Sequence, residues 1–149
     1  MSNTESICKY LNLTNKERHI TTLPMNYTYG LSCINTFLYS GASIILNENA
    51  ITTKDFWVNL EKYKPTIIFH TAAVPVAKIE NPNVSEFRKG SIDTTINILD
   101  CIDLFKKKKK INFKRFVYIS SSMIYGDFKH KVVDEHNEPK PKEIYGTMK

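Results

Sequence analysis

Glycine is scarce in this 149-residue chain. There are five, Gly30, Gly41, Gly90, Gly126 and Gly146, and no two lie closer than eleven positions. That spacing excludes both a G-x-G-x-x-G turn and a G-x-x-x-x-G-K-[ST] loop, the two common glycine-rich phosphate cradles. Cysteine is scarce as well. Cys8, Cys33 and Cys101 are odd in number and lack metal-ligand spacing, which predicts reduced thiols and a cytoplasmic setting. His19, His70, His130 and His136 form no zinc pattern, so no metal is expected. The opening MSNTESICKY has no basic-then-apolar leader. No apolar run nears the roughly 20 residues that cross a bilayer, so no membrane partner is expected.

What is present suits a globular domain with a core: 42% apolar and 24% charged residues. The net charge of +6 is local. Residues 1–64 carry six Lys/Arg against five Asp/Glu, and residues 65–149 carry fifteen against ten. The run Lys106 to Lys110 accounts for the second excess, and it reads as a solvated loop rather than a nucleic-acid surface.

Strand and helix signals alternate. Ser2 to Leu13 reads as a helix with Ile7, Tyr10 and Leu11 on one face. His19 to Leu23 reads as a strand. Tyr29 to Ser40 has helical spacing at Leu31, Ile34 and Leu38, with Gly41 at the position of a C-terminal cap. Ala42 to Leu46 reads as a short strand. Thr52 or Thr53 is placed to cap a helix bearing Phe56, Leu60 and Tyr63. Pro65 to His70 reads as a buried strand. Val84 to Phe105 contains a long helical segment with Ile92, Ile96, Leu99 and Ile102 inside. Phe113 to Ser120 is a further strand, and Tyr145 begins a last helix. The alternation predicts an α/β class with a parallel sheet. The strands at Pro65 to Phe69 and Phe116 to Ile119 are apolar enough to be central.

Three residue types near the carboxyl end have a chemistry in common. Ser120, Ser121 and Ser122 follow the strand Phe116 to Ile119, at the end where open α/β sheets bind ligands. Tyr145 and Lys149 are four apart, on one face if helical. A cationic amine beside a phenol favours the phenolate, so Ser, Tyr and Lys together can move a proton on or off an alcohol. Tyr125 and Lys129 repeat the Tyr-x-x-x-Lys spacing, so the spacing alone is not diagnostic; the ordered set is. A Lys149 in the first turn of a short helix is expected to be loosely held.

From Lys64 to Lys149 the chain resembles the extended short-chain dehydrogenases/reductases, the NAD-dependent epimerases and dehydratases. The resemblance rests on Pro65 to Ala73 with its His70-Thr71-Ala72-Ala73 turn, on Thr95-Ile96-Asn97-Ile98-Leu99, and on Arg115 to Ser122 followed by Tyr125-Gly126. It also rests on Asp134-Glu135, Pro141 and Tyr145-Gly146-x-x-Lys149. It implies Ser121, Tyr145 and Lys149 as catalytic residues, with Ala72, Ala73 and Lys149 beside the cofactor. NAD or NADP is the implied cofactor and a nucleotide sugar the implied substrate. The chain departs from the family in its missing glycine-rich loop, in Ser91 where Asn is usual and in Thr94 where Gly is usual. His70 is read as a residue beside the cofactor rather than a base, and Asp134 and Glu135 as a solvated turn.

Residues 2–63 resemble an internal piece of the AMP-forming adenylating enzymes, the acyl-CoA ligase class. The likeness is carried by Leu23 to Tyr27, Tyr29-Gly30-Leu31, Gly41-Ala42, Ile44 to Leu46 and Phe56-Trp57. The expected architecture is therefore a partial Rossmann-like parallel sheet with flanking helices over 65–149, joined to an adenylating-enzyme fragment over 1–64. The expected function is that of a nucleotide-sugar epimerase or dehydratase, truncated and inactive alone, with NAD bound weakly or not at all for want of the loop. The alternatives are a fragment of a carboxylate ligase and a non-catalytic fused or truncated reading frame.

Overall fold

The computed structural model describes residues 2–21, 25–26, 28–71, 83–128 and 132–149. Four strands form one sheet in the order β2-β1-β3-β4. They are β1 (Arg18–Thr21), β2 (Ser43–Leu46), β3 (Ile67–His70) and β4 (Arg115–Tyr118). β1 pairs in parallel with β2 through Ile20↔Ile45 and with β3 through Ile20↔Ile68. The chain leaves β1 to one side for β2 and then crosses to the other side for β3, so the strand order reverses between β1 and β3. β3 is interior as expected. β4 is not central: it lies at the edge of the four strands, and none of its residues is fully buried.

Among the described residues six α-helices accompany the strands: α1 (Asn3–Tyr10), α2 (Thr28–Tyr39), α3 (Lys54–Tyr63), α4 (Val84–Phe87), α5 (Thr94–Lys107) and α6 (Ile144–Thr147). Their ends follow sequence signals. Ser2 and Glu5 close a capping box on α1. The Thr53 hydroxyl accepts from the Phe56 amide at the start of α3. Gly41, two residues past the end of α2, takes φ +69. A six-residue π-helical turn, Arg88–Asp93, joins α4 to α5.

The faces chosen by the helices differ from those the apolar spacing predicts. Ile92, Ile96 and Leu99 are exposed at 38%, 50% and 43%, while Ser91, Ile98 and Ile102 are buried. This helical stretch carries two apolar stripes, and the one ending in Ile98 and Ile102 is the one covered. In α2 the buried residues are Gly30, Cys33, Thr36 and Phe37, with Leu31 and Leu38 exposed. α1 buries no residue and leaves Tyr10 at the surface.

The chain divides into two compact units. The first comprises Met1–Phe69 and Cys101–Val117, the second His70–Asp100 and Tyr118–Lys149. The chain enters the second unit at His70, returns to the first at Cys101 and enters the second again at Tyr118.

The first unit packs Phe37, Ala42 and Ile67 with Leu13, Ile44, Phe69 and Val117. His19 sits inside this core, stacked on Phe37 at 4.7 Å and edge-on to Phe69 at 5.1 Å. Its Nδ1 lies 3.3 Å from the Ile67 carbonyl, and only an N–H can satisfy that oxygen. Nε2 therefore carries the lone pair, and it has no partner among the described residues. Burial holds the His19 pKa down at about 4. On the surface of this unit, Lys110 pairs with Glu61 and Lys107 with Asp103. The lysine run is exposed, and its first two residues belong to α5.

Candidate functional site

The candidate residues that are described all lie in the second unit. Ser121 follows β4 and caps the 3-10 turn Ser122–Tyr125, its hydroxyl oxygen accepting from the Met123 amide at 3.2 Å. Tyr145 and Gly146 lie in α6, with Lys149 just beyond it. Two glycines allow these pieces to meet. Gly126 has φ +65, and a Cβ there would come within 2.2 Å of the Lys140 carbonyl oxygen. Gly146 is buried against the Met123 carbonyl. The two Tyr-Gly pairs of the sequence thus serve close backbone approaches that no other residue type permits.

Lys149 is held, contrary to the expectation of a loose end. Its Nζ donates to the Ile119 carbonyl at 3.0 Å. The same ammonium lies 5.1 Å from the centre of the Tyr118 ring and 5.9 Å from that of Tyr145, inside the range of cation–π attraction. The Ser120 hydroxyl donates to the Lys149 main-chain oxygen at 3.3 Å. Partial burial lowers the Lys149 pKa below that of an ordinary lysine. The structure thus brings Tyr145 and Lys149 together and sets Ser121 in the turn against which Gly146 packs.

His70, at the carboxyl end of β3, is buried, and a three-member chain fixes its ring. The Thr95 hydroxyl donates its single proton to the Ser91 carbonyl at 2.6 Å. His70 Nε2, 2.9 Å from the Thr95 oxygen, must then be the donor of that pair. Burial first, and the Lys149 ammonium second, hold the His70 pKa down at about 4. The ring lies 5.9 Å from that of Tyr118. Ser91, Thr95, Ile96, Tyr118 and Met148 border a pocket of about 200 Å³.

Ala72 and Ala73 lie outside the described residues, as do Leu23, Pro24 and Tyr27 of the N-terminal likeness and Lys129 of the second Tyr-x-x-x-Lys. Asp134 forms a turn, its carboxylate accepting from the His136 amide at 3.0 Å and its amide donating to Asn137. Among the described residues no group of His, Cys, Asp and Glu could hold a metal ion. None of their helices is long and apolar enough to cross a membrane. Sequence reasoning assigned no role to Tyr118, Thr95 or Ser91. The first two stand inside the quoted motifs, but their partners are distant in sequence and left no local signal.

A four-stranded sheet whose strand order reverses between β1 and β3, with flanking helices, is the open, Rossmann-type α/β architecture. The model of the NAD dependent epimerase/dehydratase family matches residues 7–149, and the chain belongs to that family. The match takes in the segment likened to adenylating enzymes, and that segment supplies β1 and β2 of the same sheet. None of the matches described here is an adenylating enzyme. No curated protein matches this chain.

Solved structures share the fold. A UDP-galactose 4-epimerase is 17% identical with a TM-score of 0.59, over 88% of this chain and 47% of that one. The UDP-Glc/GlcNAc 4-epimerase of Campylobacter jejuni is 15% identical with a TM-score of 0.56, over 97% and 41%. The UDP-glucose-4-epimerase of Stenotrophomonas maltophila, solved with bound NAD and formylated UDP-arabinopyranose, is 14% identical with a TM-score of 0.57, over 88% and 37%. The chain thus spans less than half the length of these structures.

Proposed function

We propose that this chain handles a proton at a hydroxyl of a nucleotide sugar, as its family membership and its Ser, Tyr and Lys residues suggest. The observation that carries the reading is the Lys149 ammonium, bonded to the Ile119 carbonyl and lying over the rings of Tyr118 and Tyr145. In this reading the Tyr145 phenolic oxygen takes the proton from the sugar hydroxyl. Lys149 favours the phenolate by its charge and donates to a ribose hydroxyl of the cofactor. The Ser121 oxygen accepts from Met123, which leaves its own proton free to be offered to the sugar. Ala72 and Ala73 are proposed to flank the cofactor.

A nicotinamide cofactor, NAD or NADP, would supply a hydride acceptor. The second unit suits the nicotinamide-riboside end of that molecule, where a partly buried ammonium stands ready for ribose oxygens. The pyrophosphate end is not suited. The first glycine after β1 is Gly30, and it is buried within α2 rather than set in a turn before it. Cofactor affinity should accordingly be low, and turnover by this chain alone slow.

The test is turnover of UDP-glucose or UDP-galactose, with products read by proton NMR while NAD is raised far above ordinary concentrations. The expected rate rises with NAD without saturating, and Tyr145→Phe lowers it by roughly 10²–10⁴-fold. Saturation at micromolar NAD would refute the weak-cradle reading. A rate untouched by Tyr145→Phe would refute the proton role. No rate at any NAD concentration would refute the whole.

A further inference from the structure

Three consecutive residues at the end of one strand converge on Lys149. The Tyr118 ring lies under its ammonium at 5.1 Å, the Ile119 carbonyl accepts from its Nζ at 3.0 Å, and the Ser120 hydroxyl reaches its main-chain oxygen at 3.3 Å. Tyr118 adds a second hold, donating its hydroxyl to the Met148 carbonyl at 3.4 Å. The ring is itself supported. His70 lies against it at 5.9 Å, and Thr95 and Ser91 fix the His70 ring in turn.

We propose that Tyr118 is a positioning residue for Lys149, its ring face holding the ammonium beside Tyr145 while its hydroxyl fastens the adjoining backbone. The proposal rests on the reading above, in which Lys149 and Tyr145 act as a pair. An ammonium has three N–H donors on a flexible stem. The Ile119 carbonyl takes one, and the aromatic face attracts the positive head from a second direction. Two fixed directions leave little freedom to the third donor, which is the one a ligand hydroxyl would meet. Without the ring, the Ile119 carbonyl and the more distant Tyr145 ring would remain, and the stem could swing more freely about the one hydrogen bond.

Carbon-13 dimethylation of the lysines, followed by NMR, tests this without turnover. Loss of a signal in Lys149→Arg assigns Lys149. The expected Lys149 signal is displaced upfield by ring current and shows a nuclear Overhauser effect to the Tyr118 ring protons. Tyr118→Phe keeps the displacement, and Tyr118→Leu abolishes most of it. Tyr145→Leu reduces it less than Tyr118→Leu, because that ring is farther away. A Lys149 signal at the position of exposed lysines in the unaltered chain would overturn the proposal, as would one unmoved by Tyr118→Leu. Should Tyr118→Leu not fold, absence of the Overhauser effect in the unaltered chain overturns it equally. Failure of the proposed function is read separately, from the Tyr145→Phe turnover rates.

Discussion

Gly146 and the Met123 carbonyl are in direct contact: a Cβ at position 146 would lie 2.4 Å from that oxygen and 3.2 Å from the Pro141 side chain. This contact seats α6 on the turn that Ser121 caps. The residue after the phenol therefore sets the separation between the phenol's helix and the serine's turn.

Gly146→Ala follows directly. Alanine would favour the helix by about 1 kcal/mol, but the clash with backbone cannot be relieved by a side-chain rotation. The expected net result is a loss of roughly 1–3 kcal/mol in urea denaturation, with the Lys149 ring-current displacement reduced. Unchanged stability together with an unchanged Lys149 signal would contradict the contact.

Acid should weaken the fold through two imidazoles. His19 and His70 are both lowered from the ordinary 6.5 to about 4, chiefly by burial. The unfolded chain therefore binds protons at these sites before the folded chain does. Their contribution is intact above about pH 6.5 and is lost as pH falls toward 4, by up to about 1.4 kcal/mol per pH unit for each group. The phenyl ring of His19→Phe fits the aromatic stack with Phe37 and does not titrate. Stability measured by urea between pH 7 and 4 should fall less steeply in that variant, and an identical slope would count against the buried neutral ring.

The Thr95 hydroxyl dictates the His70 tautomer. Nitrogen-15 NMR should find Nε2 protonated and Nδ1 unprotonated at neutral pH. Thr95→Ser should preserve that pattern and Thr95→Val should disturb it. Protonated Nδ1 in the unaltered chain would show that the hydrogen-bond chain runs the other way.

The fold was legible where local chemistry decides it. Thr53 caps α3, Gly41 follows α2 with positive φ, and Ile67 to His70 form the interior strand β3. The choice of helix face was not legible. Of Ile92, Ile96, Leu99 and Ile102, all read as inside, the fold buries only Ile102 and adds Ile98, a choice made by packing rather than by spacing. The N-terminal likeness rests on a pattern with little specificity: a strand, a helix and a strand with a Gly-Ala turn recur across α/β families, and the family match over 7–149 takes in the same segment. In the site, Ser121, Tyr145 and Lys149 could be named from a motif. Tyr118 could not be given its role, because its contact with Lys149 spans 31 positions and depends on how Gly146 and Gly126 fold the segment between them.

Saturation-transfer NMR with NADH tests the central claim most directly, since it reports which end of a weakly bound ligand touches the protein. In the proposed function the nicotinamide riboside would lie against Lys149, and the rest of the molecule would lack a glycine cradle. The strongest transfer should therefore reach the nicotinamide and its ribose protons, and Lys149→Met should abolish it. Strongest transfer to the adenine protons, or transfer unaffected by Lys149→Met, would contradict the account.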